Sequence, residues 1–161
     1  MTSAGQPVIV VGVSGSAASA GALRWAAAEA GRRQARLHVV CAWEEAHPAP
    51  YAPAAGRPSP GQQQAAAGAR LAALIREAFR FAPPAGLSTE LAHGLAARAL
   101  ADRSAGAELL VLGSAAPAGE ARWPVGPVLS ACLHGSQCPV VVVVCPGTPA
   151  RRPDEAVPAP A

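Results

Sequence analysis

Residues 108–145 read ELLVLGSAAPAGEARWPVGPVLSACLHGSQCPVVVVVC, and this stretch decides the fold. Its two apolar runs, Leu109–Leu112 and Val140–Val144, are short and bounded by Gly, Pro and Ser. Runs of this kind are typical of strands that are buried on both faces. Between them, a Gly- and Pro-containing loop at Gly113–Val125 precedes a segment, Val128–Gly135, that is long enough for about two helical turns. The stretch therefore predicts a βαβ unit.

A βαβ unit also indicates where a ligand would bind. In parallel sheets, ligands lie beyond the carboxyl ends of the strands and close to helix N-termini. In this stretch, that position is shared by the loop after Leu112 and the helix start at Gly126. Gly126-Pro127 is also simply a good helix start, because proline is favoured at the first helical position.

The rest of the chain continues the alternation of strands and helices. Including the stretch above, the sequence predicts five strands, at Pro7–Val13, Arg36–Ala42, Leu87–Ala92, Glu108–Leu112 and Pro139–Val144. It predicts four helices, at Ala17–Arg33, Gly61–Ala82, Leu95–Ser104 and Val128–Gly135. We expect Ser16 to cap the first helix, Pro83-Pro84 to stop the second, and Trp43–Pro60, with its five prolines, to form a surface loop. The pattern predicts a parallel, doubly wound α/β sheet flanked by helices.

Composition limits the classes of function. The chain has 161 residues and only 4% aromatic residues, which predicts one domain, residues 1–145, with an aliphatic core. Residues 146–161 are rich in Pro and Ala, and this composition predicts a disordered tail. The net charge of +3 comes from scattered arginines, which excludes a nucleic-acid-binding stripe. We see no signal peptide and no run of about 18 apolar residues, so we expect no membrane span and a cytoplasmic location.

No residue pattern indicates a metal site or a catalytic centre. Cys132, His134 and Cys138 do not have the spacing of a common zinc site, and the four cysteines include no C-x-x-C pair, so we expect reduced, buried thiols. Residues 12–16, GVSGS, approximate the nucleophile elbow G-x-S-x-G, but an N-cap for the first helix explains them more simply. Carboxylates are dispersed along the chain, so no acid–base pair is predicted.

The sequence as a whole resembles the universal stress protein (UspA) family from Val8 to Val144. The segments that carry the resemblance are VIVVGVSGS, ALRWAAAEA, RLHVVCAW, AELLVLGS and VLSACLHGSQCPVVVV, in that order and spacing. The resemblance implies a five-stranded parallel, Rossmann-like sheet of the adenine-nucleotide α-hydrolase-like kind, usually in a homodimer. It also implies an adenine nucleotide site, because many members bind ATP between the turn after the first strand and the loop after the fourth.

The family's ATP motif, G-x2-G-x9-G followed by Ser or Thr, is only partly present. Its first and third glycines correspond to Gly113 and Gly126, but the second corresponds to Ala116. Glycines let the backbone approach phosphate oxygens closely, and the following helix N-terminus offers N–H donors. Ala116 therefore adds a Cβ at a position where the family has none.

Three further positions depart from the family in the same direction. The hydroxyl residue is Pro127, which has neither a hydroxyl nor a backbone N–H, and a later Ser/Thr position is Leu129. The acidic residue after the first strand is Ser14. Losing one charge-assisted donor to phosphate costs about 1.5–3 kcal/mol, so two losses would weaken binding about 100-fold or more. The resemblance implies the following cofactor-binding positions: Gly12, Val13, Ser14, Ala42, Leu112, Gly113, Ala115, Ala116, Gly126, Pro127, Val128 and Leu129.

Three functional hypotheses remain open at this point. The first is a regulatory or binding protein of the stress response whose nucleotide site is weakened or lost, without catalytic or metal-binding residues. The second is an ATP-binding switch or slow ATPase, and the third is a partner-binding module without a ligand. In each case we expect a homodimer through the last strand, Pro139–Val144, because an apolar edge strand favours pairing with a second chain.

Overall fold

The computed structural model describes residues 5–45, 57–116 and 125–146. It contains five strands, which are β1 (Val8–Val13), β2 (Arg36–Trp43), β3 (Leu87–His93), β4 (Leu109–Ala116) and β5 (Val140–Pro146). It contains four helices, which are α1 (Ala17–Arg33), α2 (Pro60–Ala78), α3 (Ala96–Ser104) and α4 (Pro127–Gly135). Most of the predicted loop over residues 43–60, and the predicted tail after residue 146, lie outside the described residues.

The five strands form one parallel sheet in the order β3-β2-β1-β4-β5. This confirms the predicted parallel, doubly wound α/β fold. The chain runs from β1 to β2 and β3 on one side and then returns to β4 on the other side of β1. The strand order therefore reverses between β1 and β4, and the edges of the sheet are β3 and β5.

The alternation of side chains along each strand builds a core on both faces of the sheet. On one face, Ile9, Val11, Val39 and Val111 pack with Leu23 and other residues of α1 and α2. On the opposite face lie Val10, Val40, Leu110, Leu112, Leu100, Leu129 and Cys132, of which the last three come from α3 and α4. The core is aliphatic on both faces, as the composition predicts.

Local signals explain where α1 begins and ends. Ser16 is the N-cap, and its side chain accepts a hydrogen bond from the Ser19 N–H. The helix ends at Gln34, which takes the left-handed conformation with φ 53° and donates its N–H to the carbonyls of Ala30 and Gly31. These bounds confirm the predicted helix Ala17–Arg33.

Two predicted boundaries were wrong by four residues each. The second helix ends at Ala78 rather than Ala82, because Phe79 leaves the helical conformation (φ −124°, ψ 75°) while its side chain packs against the core. The fourth strand does not end at Leu112, since residues 113–116 pair with residues 143–146 of β5. The predicted loop over residues 113–125 therefore begins with four residues of strand. Smaller shifts place the start of the fourth helix at Pro127 and the limits of the fifth strand at Val140 and Pro146.

No helix within the described ranges combines the length and the apolar character that crossing a bilayer requires.

Candidate functional site

A cavity of about 190 Å³ lies at the carboxyl end of the sheet, where the strand order reverses between β1 and β4. This reversal is the position at which doubly wound sheets bind ligands. The cavity is lined by Gly12, Val13, Ser14, Ser19, Ala96, Leu100, Leu112, Gly113, Val128 and Leu129. The sheet topology thus brings together residues from β1, α1, α3, β4 and α4.

Three serines organise the turn between β1 and α1. The Ser14 N–H donates to Ser19 Oγ over 2.9 Å, and that hydroxyl lies 3.2 Å from Ser14 Oγ and 3.1 Å from Ser16 Oγ. Ser19 is only 4% exposed, whereas Ser14 and Ser16 are exposed. Gly15 takes φ +85°, a conformation that glycine adopts without steric cost. Residues 14–16 are therefore a helix-capping turn, as the N-cap interpretation predicted.

The start of α4 lines the same cavity through Val128 and Leu129. Gly126 is the N-cap and Pro127 the first helical residue, and the first N–H with an intrahelical acceptor is that of Ser130, bonded to the Gly126 carbonyl over 2.9 Å. The N–H groups of Val128 and Leu129 belong to the first turn, so they have no acceptor inside the helix. Pro127 has no N–H to offer.

The two glycines that fit the family motif occupy different environments. A Cβ on Gly113 would lie 2.6 Å from the Ala18 carbonyl carbon and 3.1 Å from the Ser19 nitrogen, and closer still to the Ala18 oxygen. The close passage of β4 against α1 therefore requires glycine at position 113. Gly126 has φ −65°, and no described atom lies within 4 Å of a Cβ added there. Neither the backbone conformation nor packing against the described residues requires glycine at position 126.

The remaining predicted positions are not among the residues that line the cavity. Ala42 lines a neighbouring cavity of about 390 Å³ on the side of β2 and α2. Ala115 pairs with Cys145 in the sheet, and Ala116 is the last residue of β4. Gly126 and Pro127 form the start of α4.

The sequence prediction missed Ser19, Ala96 and Leu100. A sequence signal for Ser19 was present, because it lies three residues after the N-cap Ser16. The side chain at that position is directed towards the N-cap residue. Ala96 and Leu100 had none, since only the sheet topology places the start of α3 at this edge.

The electrostatics of the small cavity are nearly neutral. Its only polar side chains among the described residues are those of Ser14 and Ser19. The cavity of about 390 Å³ differs, because the charged residues Glu44 and Arg70 are among those that line it. Burial raises the pKa of the Cys41 thiol, and the positive charge of Arg70 acts in the opposite direction. Burial keeps this thiol protonated at neutral pH.

The remaining candidate residues have structural partners elsewhere. His38 is half-buried, with Nδ1 2.8 Å from Ser88 Oγ and Nε2 2.9 Å from Glu90 Oε2 on edge strand β3. Arg103 also binds Glu90, and this hydrogen bond is the largest cause that lowers the pKa of the Glu90 carboxyl. His134 contacts the Ser130 carbonyl over 2.7 Å. Across the described part of the chain, no three His, Cys, Asp or Glu residues come close enough to hold a metal ion.

Comparison with known proteins gives a consistent result. The sequence profile of the universal stress protein family matches residues 7–144. The fold is similar to a universal stress protein in complex with cAMP, with 22% identity, a TM-score of 0.59 and coverage of 86% of this chain and 97% of the other. It is also similar to the universal stress protein from Archaeoglobus fulgidus in complex with dAMP, with 19% identity, a TM-score of 0.59 and coverage of 85% and 96%. A universal stress protein family protein from Arabidopsis thaliana with AMP bound has 14% identity, a TM-score of 0.55 and coverage of 86% and 91%.

Proposed function

Because this chain belongs to the universal stress protein family, we propose that it is a regulatory, nucleotide-binding protein of the stress response whose cleft holds an adenine nucleotide with one phosphate. The same cleft holds ATP weakly or not at all. The proposal concerns the cavity between β1 and β4, because its position is that of a ligand site in a doubly wound sheet.

The observation that carries the proposal is the set of donors at this cavity. Ser14, Ser19, Val128 and Leu129 line it, and no charged side chain among the described residues does. The two serines carry hydroxyls, and the N–H groups of Val128 and Leu129 have no acceptor inside their helix. A triphosphate carries several negative charges that need cations, a bridging metal or many N–H donors. Ser14 has no carboxylate to hold a metal, and Pro127 removes one donor from the helix start. These losses weaken the binding of a triphosphate more than the binding of a single phosphate.

The solved relatives support the same class of ligand. The three structures described above hold cAMP, dAMP and AMP, each an adenine nucleotide with one phosphorus atom. At 14–22% identity they show a shared fold, so their ligands suggest a class rather than a specific compound for this chain.

We further propose that the protein is not an enzyme. The hydroxyls of Ser14, Ser16 and Ser19 are hydrogen-bonded to one another. The described residues that line the cavity include no His, Asp, Glu or Lys to act as a general base for a serine nucleophile. The alternative is an ATP-dependent switch or slow ATPase, which tight binding of magnesium ATP would favour. A cytoplasmic location stays a prediction.

A homodimer through β5 is part of the proposal. β3 and β5 each pair with one described strand only, and of these two edge strands it is β5 that carries a continuous apolar run, Val140–Val144, with Val144 45% exposed. The other edge strand, β3, presents Ser88, Thr89 and the ion-paired Glu90. Polar and charged edge residues oppose pairing with a second sheet, so the apolar edge is the one expected to pair.

Titration of the purified protein by calorimetry tests the proposed ligand class. We expect AMP to bind more tightly than magnesium ATP, with ATP in the high-micromolar range, roughly above 100 μM, or beyond. GMP is the matched control for the base, since it carries the same sugar and phosphate. Binding of magnesium ATP at low micromolar affinity and more tightly than AMP would contradict the proposal and favour the switch.

A further inference from the structure

A second cavity is lined by the positively charged side chain of Arg70, which has no role in the proposed site described above. This cavity, of about 390 Å³, lies between the carboxyl end of β2 and the first turns of α2. It is lined by Ala42, Trp43, Glu44, Pro58, Gln62, Gln63, Ala66 and Arg70. The Trp43 indole, tilted by 56° against the His93 imidazole with ring centroids 4.7 Å apart, forms part of its wall.

Arg70 lies beside the turn between β1 and α1. Its Cβ and Cδ atoms are each 3.9 Å from the position that a Cβ of Gly15 would occupy. Gly15 is the residue after Ser14, and Ser14 lines the small cavity. The Arg70 side chain therefore lies beside the turn whose Ser14 lines the small cavity.

Among the described residues, no carboxylate forms an ion pair with Arg70. Arg32, Arg33 and Arg103 each form ion pairs with glutamates. Arg70 shares a cavity with Glu44, yet within the described ranges no carboxylate oxygen lies within ion-pair distance of it. A planar guanidinium matches the oxygens of a phosphate and binds them with two parallel N–H donors.

We propose that Arg70 binds the single phosphate of the nucleotide at the β1–α1 turn and so makes the cleft selective for a nucleoside monophosphate over the uncharged nucleoside. This inference rests on the proposed function, since it names the residue that recognises the anionic group of that ligand. The exposed hydroxyls of Ser14 and Ser16 lie on the same turn and add donors. One arginine matches one phosphate group, whereas a triphosphate would need further cations.

The test compares Arg70→Gln with Arg76→Gln, using AMP and adenosine as probes in calorimetric titrations. Both arginines are exposed on α2, but Arg76 lies in its last turn, away from the cavity. We expect Arg70→Gln to weaken AMP binding about tenfold or more and to leave adenosine binding unchanged. Arg76→Gln should change neither affinity. Arg70→Lys keeps the charge without the paired donors, so its AMP affinity should lie between those of Arg70→Gln and the wild type.

Each other outcome has a defined meaning. Unchanged AMP binding by Arg70→Gln would overturn the role of Arg70 and leave the proposed function intact. An equal loss of adenosine and AMP would also overturn it, because the residue would then act on the shape of the cleft rather than on phosphate. Failure of the wild-type protein to bind either compound would overturn the proposed function itself. Thermal unfolding of each variant confirms that the compared proteins are folded.

Discussion

Replacing Gly113 with alanine should destabilise the protein, even though the same glycine fits a nucleotide-binding motif. In the structure, β4 passes so close to α1 that a Cβ at position 113 would lie 2.6 Å from the Ala18 carbonyl carbon. It would also lie 3.1 Å from the Ser19 nitrogen. These are backbone atoms of a helix whose Ala18 and Ser19 side chains are buried, so no rotation of a side chain relieves the clash.

The size of the effect follows from what must move. The clash is relieved only if α1 shifts relative to β4, and α1 packs on β1, β4 and β5 through fully buried residues such as Ala22 and Leu23. Inserting a methyl group into a well-packed core usually costs about 1–3 kcal/mol. Because the obstacle is backbone, we expect about 2–3 kcal/mol, which lowers the melting temperature of a domain of this size by about 4–12 °C.

Thermal and urea unfolding without nucleotide measure this loss, with Gly31→Ala as the matched control. Gly31 lies in α1 but is exposed, and no described atom lies within 4 Å of a Cβ added there. Alanine in a helix is favoured over glycine by about 0.5–1 kcal/mol, so the control should be slightly stabilised. If Gly113→Ala unfolds at the wild-type temperature, packing does not require this glycine, and its presence would have to be explained by a ligand.

Two further predictions concern the edges of the sheet. Val144→Lys places a charge at the exposed end of β5 and should weaken the proposed dimer. Light scattering at micromolar concentration should show a dimer for the wild type and a shift towards the monomer for the variant. A monomeric wild type, or a variant of unchanged mass, would contradict the proposed interface. At the other edge, Arg103 lowers the pKa of Glu90, so this pair stabilises the fold at neutral pH and loses its contribution as the pH falls through that lowered pKa. Urea unfolding at a series of pH values measures the free energy of unfolding, which should fall less steeply with decreasing pH for Arg103→Gln than for the wild type. Equal slopes of this free energy against pH would refute the prediction.

Much of the fold could be predicted because its signals are local. The buried strands are short apolar runs between Gly, Pro and Ser residues, and α1 begins after the capping Ser16. The errors arose where distant residues decide the outcome. Residues 113–116, GSAA, have no apolar pattern and are strand because β5 pairs with them. Phe79 fits the helical period, but it is the C-cap and packs against the core, so the helix ends four residues earlier than predicted.

The candidate site was predictable in position but not in its physical detail. The βαβ pattern indicates the carboxyl edge of the sheet, and residues from Gly12 to Ser14 and from Val128 to Leu129 do line a cavity there. Sequence spacing could not show that Gly113 serves the packing of α1 against β4. Nor could it show that Arg70, more than fifty residues from β1 in sequence, lies beside the first turn.

The most direct test of the account restores the family pattern in this chain and measures the binding of magnesium ATP by calorimetry. The variant carries Ser14→Asp, Ala116→Gly and Pro127→Ser, which add a carboxylate, remove a Cβ and return both a hydroxyl and an N–H to the start of α4. We predict that the wild-type protein binds ATP with high-micromolar or weaker affinity and that the variant gains at least about tenfold, or about 1.4 kcal/mol. Low-micromolar binding by the wild type, or no gain in a folded variant, would contradict the claim that these three positions weaken the site.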